Sequence, residues 1–255
     1  MCLALIALRA HPRWRLVIAA NRDEFHARAA EAAHWWPSGV LAGTDRVAGG
    51  TWLGVSAQGR WALVTNYREG IARDSSAPSR GGLVTKALGD HAAPLASAAE
   101  IVAGGERYHG FNLLVGTPGE AAYGSNRASG AVALSNGIHG LSNHLLETPW
   151  PKVVRSKARF GDWVASGSGD LETLLALLAD REQADPALLP STGVGSDRER
   201  LLSSPFIVDA SYGTRCSTVL AIPSGGPARF IERSFDAEGE RTGEAAFEFD
   251  LAPAG

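Results

Sequence analysis

Cysteine is almost absent from this chain, whose 255 residues hold two, Cys2 and Cys216. Two thiols cannot make a disulfide framework, so stability must come from a packed core. A Cys2–Cys216 bridge is the single pairing available, and a reducing compartment disfavours it. Long apolar runs are missing too. None approaches the about 20 residues of a membrane-spanning helix, and the N-terminus lacks the basic start and small-residue cleavage site of a secretory signal. A cytoplasmic location is therefore expected. Charge of one sign is not in excess: 24 Lys and Arg against 27 Asp and Glu give a formal net charge of −3, which excludes the basic footprint of a nucleic-acid binder. The seven histidines show no His-x-x-x-His spacing and no Cys-x-x-Cys accompanies them, so neither a metal site nor a cofactor is expected. Gly49-Gly50-Thr51-Trp52 has neither the Walker spacing nor the Gly-x-Gly-x-x-Gly pattern of a phosphate loop. It reads as a tight turn with Trp52 packed at a pocket edge.

What is present suits one large domain over residues 1–255, with an apolar share of 45% and no compositional break. Apolar runs at Met1 to Leu8 and Arg15 to Ala20, joined by Ala10-His11-Pro12-Arg13, predict a hairpin. Further strands are expected at Thr51 to Ser56, Trp61 to Thr65, Phe111 to Val115, Ala121 to Tyr123, Ala131 to Leu134, Cys216 to Ile222, Arg229 to Arg233 and Ala245 to Phe249. Helical spacing marks Leu83 to Leu88, Pro94 to Ala103, Pro149 to Ala165 and Asp170 to Asp180. Blocks of strands packed between blocks of helices predict an α+β fold. Gln183 to Ser204, with Pro186, Pro190, Gly193 and Gly195, reads as a long mobile loop.

The position of Cys2 gives it a chemistry that no internal cysteine has. Once Met1 is removed, its thiol and a free α-amino group sit on adjacent carbons. The amine titrates near ~7.7–8.0 and the thiol near ~8.5, so the amine can take the thiol proton near neutral pH. The chain then begins with its own nucleophile and base. The predicted hairpin returns Asn21-Arg22-Asp23-Glu24 towards that terminus. There Arg22 would favour the thiolate, and a carboxylate would hold or orient the α-amine. A small buried cysteine beside a solvated charged turn is the alternative.

Several blocks resemble the NRDE family, whose eukaryotic members are called transport and Golgi organization protein 2. They are Met1-Cys2, Asn21-Arg22-Asp23-Glu24-Phe25, Gly49 to Val55, Leu63 to Glu69, Ser79 to Val84, Gly110 to Gly116, Leu141-Ser142-Asn143, Thr148 to Val153 and Gly213 to Leu220. The blocks come in the family's order over most of the chain. The family in turn resembles cysteine N-terminal-nucleophile hydrolases such as penicillin V acylase and bile salt hydrolase. That resemblance implies a four-layer αββα sandwich of two mostly antiparallel sheets.

It also implies a set of site residues. Asn66, at the end of a predicted strand, resembles the oxyanion-hole asparagine of the related amidases, and Asn143 is a second candidate donor. An Asn at a strand end is also a common turn residue. Arg22 resembles their active-site arginine, and either Asp23 or Glu24 fills the acidic role, with Asp23 favoured. Arg215 opens a strand whose alternation places Arg215, Ser217, Val219 and Ala221 on one face. That makes Arg215 a site-wall residue, with a structural ion pair as the alternative, and Cys216 points the other way as a packed thiol. Lys152, Arg155, Lys157 and Arg159 form either a contact for an anionic substrate or a solvated helix face. The first expectation is hydrolysis of an amide or thioester of a small acylated molecule, with Cys2 attacking. The alternative is a non-catalytic protein that binds or transfers haem or acyl-coenzyme A, as the family's links to haem trafficking and lipid handling imply. Haem would want Cys2, His109 or His139 as its axial ligand.

Overall fold

The computed structural model describes residues 3–70 and 76–252, and Cys2 lies outside the described residues. The layers follow from the burial of β1 (Leu3–Leu8) and β2 (Trp14–Phe25), which pair antiparallel from Leu3↔Asn21 to Leu8↔Leu16. β1 is buried at every position, so both of its faces must be covered. Leu3, Leu5, Ala7, Val17 and Ala19 enter one core, while Ala4, Ile6, Leu8, Leu16, Ile18 and Ala20 enter another.

The remaining strands are β3 (Ala30–Trp35), β4 (Val40–Asp45), β5 (Leu53–Ser56), β6 (Trp61–Asn66), β7 (Phe111–Gly116), β8 (Ala121–Ser125), β9 (Ala131–Ala133), β10 (Gly137–Leu141), β11 (Tyr212–Pro223), β12 (Ala228–Phe235) and β13 (Arg241–Phe249). β1 and β2 lie inside a six-stranded sheet ordered β10-β1-β2-β11-β12-β13, and β3 to β9 form a seven-stranded sheet in chain order. Every pairing is antiparallel. The two sheets meet through a core that joins Ile6, Ile18 and Leu220 to Leu41, Trp61, Leu63 and Leu114.

Helices cover the outer faces. α1 (Gly81–Leu88) and α2 (Pro94–Ala103) bury Leu83, Val84, Ala98 and Ile101 against Ala62, Val64 and Leu113 of the seven-stranded sheet. α3 (Pro151–Ser166) and α4 (Glu172–Leu178) bury Val153, Phe160, Trp163 and Leu174 against Leu5, Val17 and Val219 of the six-stranded sheet. α3 starts with Pro151, which needs no backbone partner there, and stops at Gly167, whose φ of 65° suits glycine. The result is the α+β, helix–sheet–sheet–helix sandwich that the resemblance implied. Among the described residues, no helix is long and apolar enough to cross a membrane.

Three expectations need correction. β3, β4 and β10 were not foreseen. The strand expected to end at Ala20 runs on as β2 through the NRDE tetrad, with Asn21, Arg22 and Asp23 buried, so the alternative of a solvated turn does not hold. The stretch from Gln183 to Ser204 is built of a 3-10 turn, Pro186–Leu188, and α5 (Ser196–Leu201). It is tied down by Glu199, 3% exposed, which accepts from Arg68 at 2.6 Å and from the Thr192 amide and hydroxyl at 2.8 and 2.6 Å.

Candidate active site

Strand alternation splits the NRDE tetrad into two pairs with different work. Asn21 and Asp23 face the helical layer. The Asn21 amide donates to the carbonyls of Leu178 and Pro205, both at 2.8 Å, and its Oδ1 accepts from Ser217 Oγ at 2.6 Å. Asn21 is therefore a fastener between sheet, α4 and the segment after α5. Asp23, 1% exposed, accepts from Thr214 Oγ1 at 2.7 Å, and the same hydroxyl accepts from the Ile207 amide.

Arg22 and Glu24 face the gap between the sheets, where both line a cavity. The Arg22 guanidinium lies 4.4 Å over the Trp52 ring and makes no hydrogen bond to a described side chain or backbone group. Trp52 is delivered there by the Gly49-Gly50 turn. Gly50 has φ of 76°, and a Cβ on it would meet the Gly81 carbonyl carbon at 2.7 Å, so only glycine lets this turn rest on the start of α1. Glu24 accepts from the Phe25 amide and lies 3.9 Å from Arg28, whose guanidinium holds Asp45 at 2.6 Å.

The two asparagine candidates come together because the ends of β6 and β10 are zipped side by side. Thr65 Oγ1 donates to the Ser142 carbonyl at 2.8 Å, Asn143 Nδ2 to the Asn66 carbonyl at 3.0 Å, and the Arg68 amide to the Asn143 carbonyl at 2.8 Å. The Tyr67 hydroxyl and His144 Nε2 are hydrogen-bonded at 2.7 Å, and His144 Nδ1 pairs with Thr148 Oγ1 at 2.9 Å. Burial holds His144 below the ordinary histidine range, which favours the neutral ring in this chain. Asn143 thus spends a donor on holding Asn66. The Asn66 side-chain amide makes no hydrogen bond among the described residues.

Asn66, Arg80 and His109 line two adjoining cavities of about 430 and 450 Å³. One compartment has an apolar wall of Phe25, Val194, Leu202 and Tyr212 and also contains Asn143. The other is charged, with Arg22, Glu24, Arg28 and Asp45 beside Thr51 and Trp52. Arg80, the α5 residue Arg198 and Leu202 directly after α5 were missed as lining residues. Arg80, directly before the Gly81-Gly82 helix start, carried a local signal, whereas α5 arrives through tertiary contact alone.

Arg215 does not line this cleft, and a β-bulge explains why. Thr214 pairs with Asp23 but Cys216 with Arg22, which leaves Arg215 as the extra residue. Simple alternation therefore fails: Arg215 and Cys216 both border a separate rear cavity that they share with Arg22 and Trp52. Cys216 is a free, buried thiol whose Sγ lies 3.5 Å from Glu232 Oε2. Burial first, and the Glu232 charge second, push it well above the ordinary thiol range. The basic residues of α3 are likewise not an anion-binding face. Arg155 and Arg159 pair with Asp180, Lys157 pairs with Glu147, and Lys152 is buried. His139 is engaged by the Ser135 carbonyl and by Glu147 at 3.3 Å.

Burial raises Glu232 above the ordinary value of 4.5, against the pull of bonds from the Ala33 amide and from Thr218 and Cys216. A raised carboxyl pKa means that the folded chain holds this proton more tightly than the unfolded chain. Its stabilising contribution is present below about pH 4.5 and is lost as pH rises through the folded value. Thermal melts from pH 5 to 8 should therefore show Glu232→Gln losing less stability than the parent. Equal losses would show that Glu232 is not the group responsible.

Comparison with known proteins places this geometry in a family. The family model described as Transport and Golgi organisation 2 matches residues 1–237. The Transport and Golgi organization protein 2 homolog of Bos taurus is 37% identical over 240 residues, covering 87% of each chain. The Homo sapiens homolog is 34% identical with the same coverage. Among solved structures, a mutant conjugated bile acid hydrolase from Clostridium perfringens shares the fold with a TM-score of 0.51 at 8% identity, over 97% of this chain and 92% of its own. By sequence over nearly its whole length, the chain belongs to the Transport and Golgi organisation 2 family.

Proposed function

We propose that the cleft hydrolyses an amide or thioester of a small acylated molecule, with Cys2 as nucleophile after Met1 is removed. The observation that carries this reading is the uncommitted Asn66 amide at the junction of two compartments, one walled in part by Phe25, Val194, Leu202 and Tyr212 and the other charged. A carrier needs no such donor, whereas a tetrahedral intermediate does. Leu3, the first described residue, pairs with Asn21 beside Arg22.

In the proposed reaction the Cys2 α-amine takes the thiol proton and the thiolate adds to the acyl carbonyl carbon. Asn66 donates to the resulting oxyanion, and Arg22 favours the thiolate. The intermediate collapses with loss of the amine or thiol, which leaves with the proton from the α-ammonium. Water then hydrolyses the acyl thioester on Cys2, releasing the carboxylic acid and restoring the thiol. Asp23 organises the N-terminal end of the site, while Asn143 supports Asn66. The apolar wall of Phe25, Val194, Leu202 and Tyr212 suits the acyl group.

Mass spectrometry of protein quenched after mixing with a panel of acyl amides and acyl thioesters tests this directly. A transient mass increase equal to the acyl group, mapped to Cys2, is expected. Asn66→Ala should lower kcat by about 10²–10³-fold, the effect of removing one oxyanion donor, while electrophile labelling of Cys2 persists. An Asn66→Ala protein with unchanged kcat would remove Asn66 from the mechanism. His109 at the junction of the two compartments favours the second reading, a haem carrier. A haem titration that leaves the absorption band unshifted would exclude it.

A further inference from the structure

Behind the Arg22–Trp52 stack lies a separate cavity of about 200 Å³, bordered by Arg22, Trp52, Arg215, Cys216, Glu232 and Ser234. Two cations face it, and among the described residues neither forms an ion pair with the two carboxylates, Glu31 and Glu232, that also line it. Arg22 is 4% exposed, and its guanidinium has neither a hydrogen bond nor an ion pair among the described residues. Arg215 spends Nη1 on the carbonyls of Phe25, His26 and Arg28, at 3.1, 3.1 and 3.2 Å, but its Nε is buried without a partner. Glu31 pairs instead with Arg46 at 3.3 Å, and Glu232 attracts Arg22 through space without a contact pair. Glu232 Oε1 accepts from the Ala33 amide at 2.8 Å, its Oε2 faces Thr218 at 3.1 Å and Cys216 at 3.5 Å, and no ion pair joins it to either arginine among the described residues.

Burying guanidinium groups without a hydrogen-bonded counter-charge is costly, and a planar guanidinium edge pairs bidentately with a carboxylate. We infer that this rear cavity is a binding site for a small monocarboxylate, held between Arg22 and Arg215. The site is distinct from the front cleft and goes beyond the proposed hydrolysis. Arg22 borders both spaces, so an anion held behind it also changes the charge presented in front.

Calorimetric titration of the full chain with sodium acetate, at ionic strength fixed by chloride, tests the site without any turnover. Failure of the Cys2 chemistry therefore leaves this result readable. One acetate per chain is expected, with affinity at least about tenfold weaker in Arg215→Gln, the cost of one charged hydrogen-bond donor. Because Arg215 also fastens the turn after β2, Ser234→Phe is the second variant. It fills the cavity from β12, leaves the Arg215 carbonyl contacts in place and should abolish the titration while the circular dichroism spectrum and Tm stay those of a folded protein. No acetate binding, acetate binding unchanged in Ser234→Phe, or phosphate bound in place of acetate would overturn the assignment.

Discussion

Cys2→Ala should abolish turnover of any amide or thioester substrate, by about 10³-fold or more, since removal of a nucleophile leaves only binding and oxyanion stabilisation. Stability should change little, because the substitution removes one sulfur atom from the chain terminus. The expected pattern is a lost acyl-enzyme and a lost electrophile adduct with a cooperative melt retained. The competing thiol cannot substitute. Cys216 is buried, and burial beside Glu232 raises its pKa, so it stays protonated and sheltered at neutral pH. A Cys2→Ala protein as active as the parent would remove the proposed mechanism altogether.

Glu199→Ala should destabilise the fold by about 3–5 kcal/mol, the cost of removing one partner from a buried ion pair. Glu199 and Arg68 are 4% and 9% exposed at their side chains and 2.6 Å apart. The carboxylate also satisfies the Thr192 amide, so its loss leaves a guanidinium and a backbone donor without their acceptor. Arg68 additionally stacks over Trp150 at 4.6 Å. The damage should be local as well as global. The segment that presents Val194, Arg198 and Leu202 to the cleft hangs on this residue, so hydrogen exchange across residues 190–202 should accelerate beyond the global change. Denaturant unfolding gives the stability and exchange gives its location. A loss below about 1 kcal/mol would match a surface pair and contradict the role assigned to Glu199.

These contacts also explain how far the sequence could be read. The hairpin of β1 and β2, the strands from β5 to β8 and the helices α1 to α4 carry strong local patterns, and all lie where periodicity placed them to within a few residues. β3 escaped because Ala30-Glu31-Ala32-Ala33-His34-Trp35 is an edge strand of weak β formers, made by pairing with β4. β10 is short, begins and nearly ends with glycine, and pairs with β1 across some 130 residues of chain, beyond any local window. The stretch before β11 carries so many prolines and glycines that it resembles a mobile loop. Its order comes from Glu199 meeting Arg68, 131 residues away. Within the site, Arg22, Glu24, Trp52 and Asn66 were legible as strand-end and turn chemistry, and they converge on one cleft. Arg215 was misplaced because alternation cannot register a bulge, and one extra residue moves a side chain to the other face. The division of labour inside the tetrad was also hidden. Only the register of β2 shows Asn21 and Asp23 turned to the helical layer and Arg22 and Glu24 turned to the cleft.

The central claim is that the chain begins with its own nucleophile, and intact-protein mass spectrometry tests it most directly. The protein is weighed before and after brief exposure to a limiting thiol electrophile at neutral pH, and the adduct is mapped between Cys2 and Cys216. The account predicts a mass lacking Met1 and an adduct on Cys2 with Cys216 unmodified. Retained Met1, or an inert Cys2, would contradict it and leave the cleft as a place where a ligand is held unchanged.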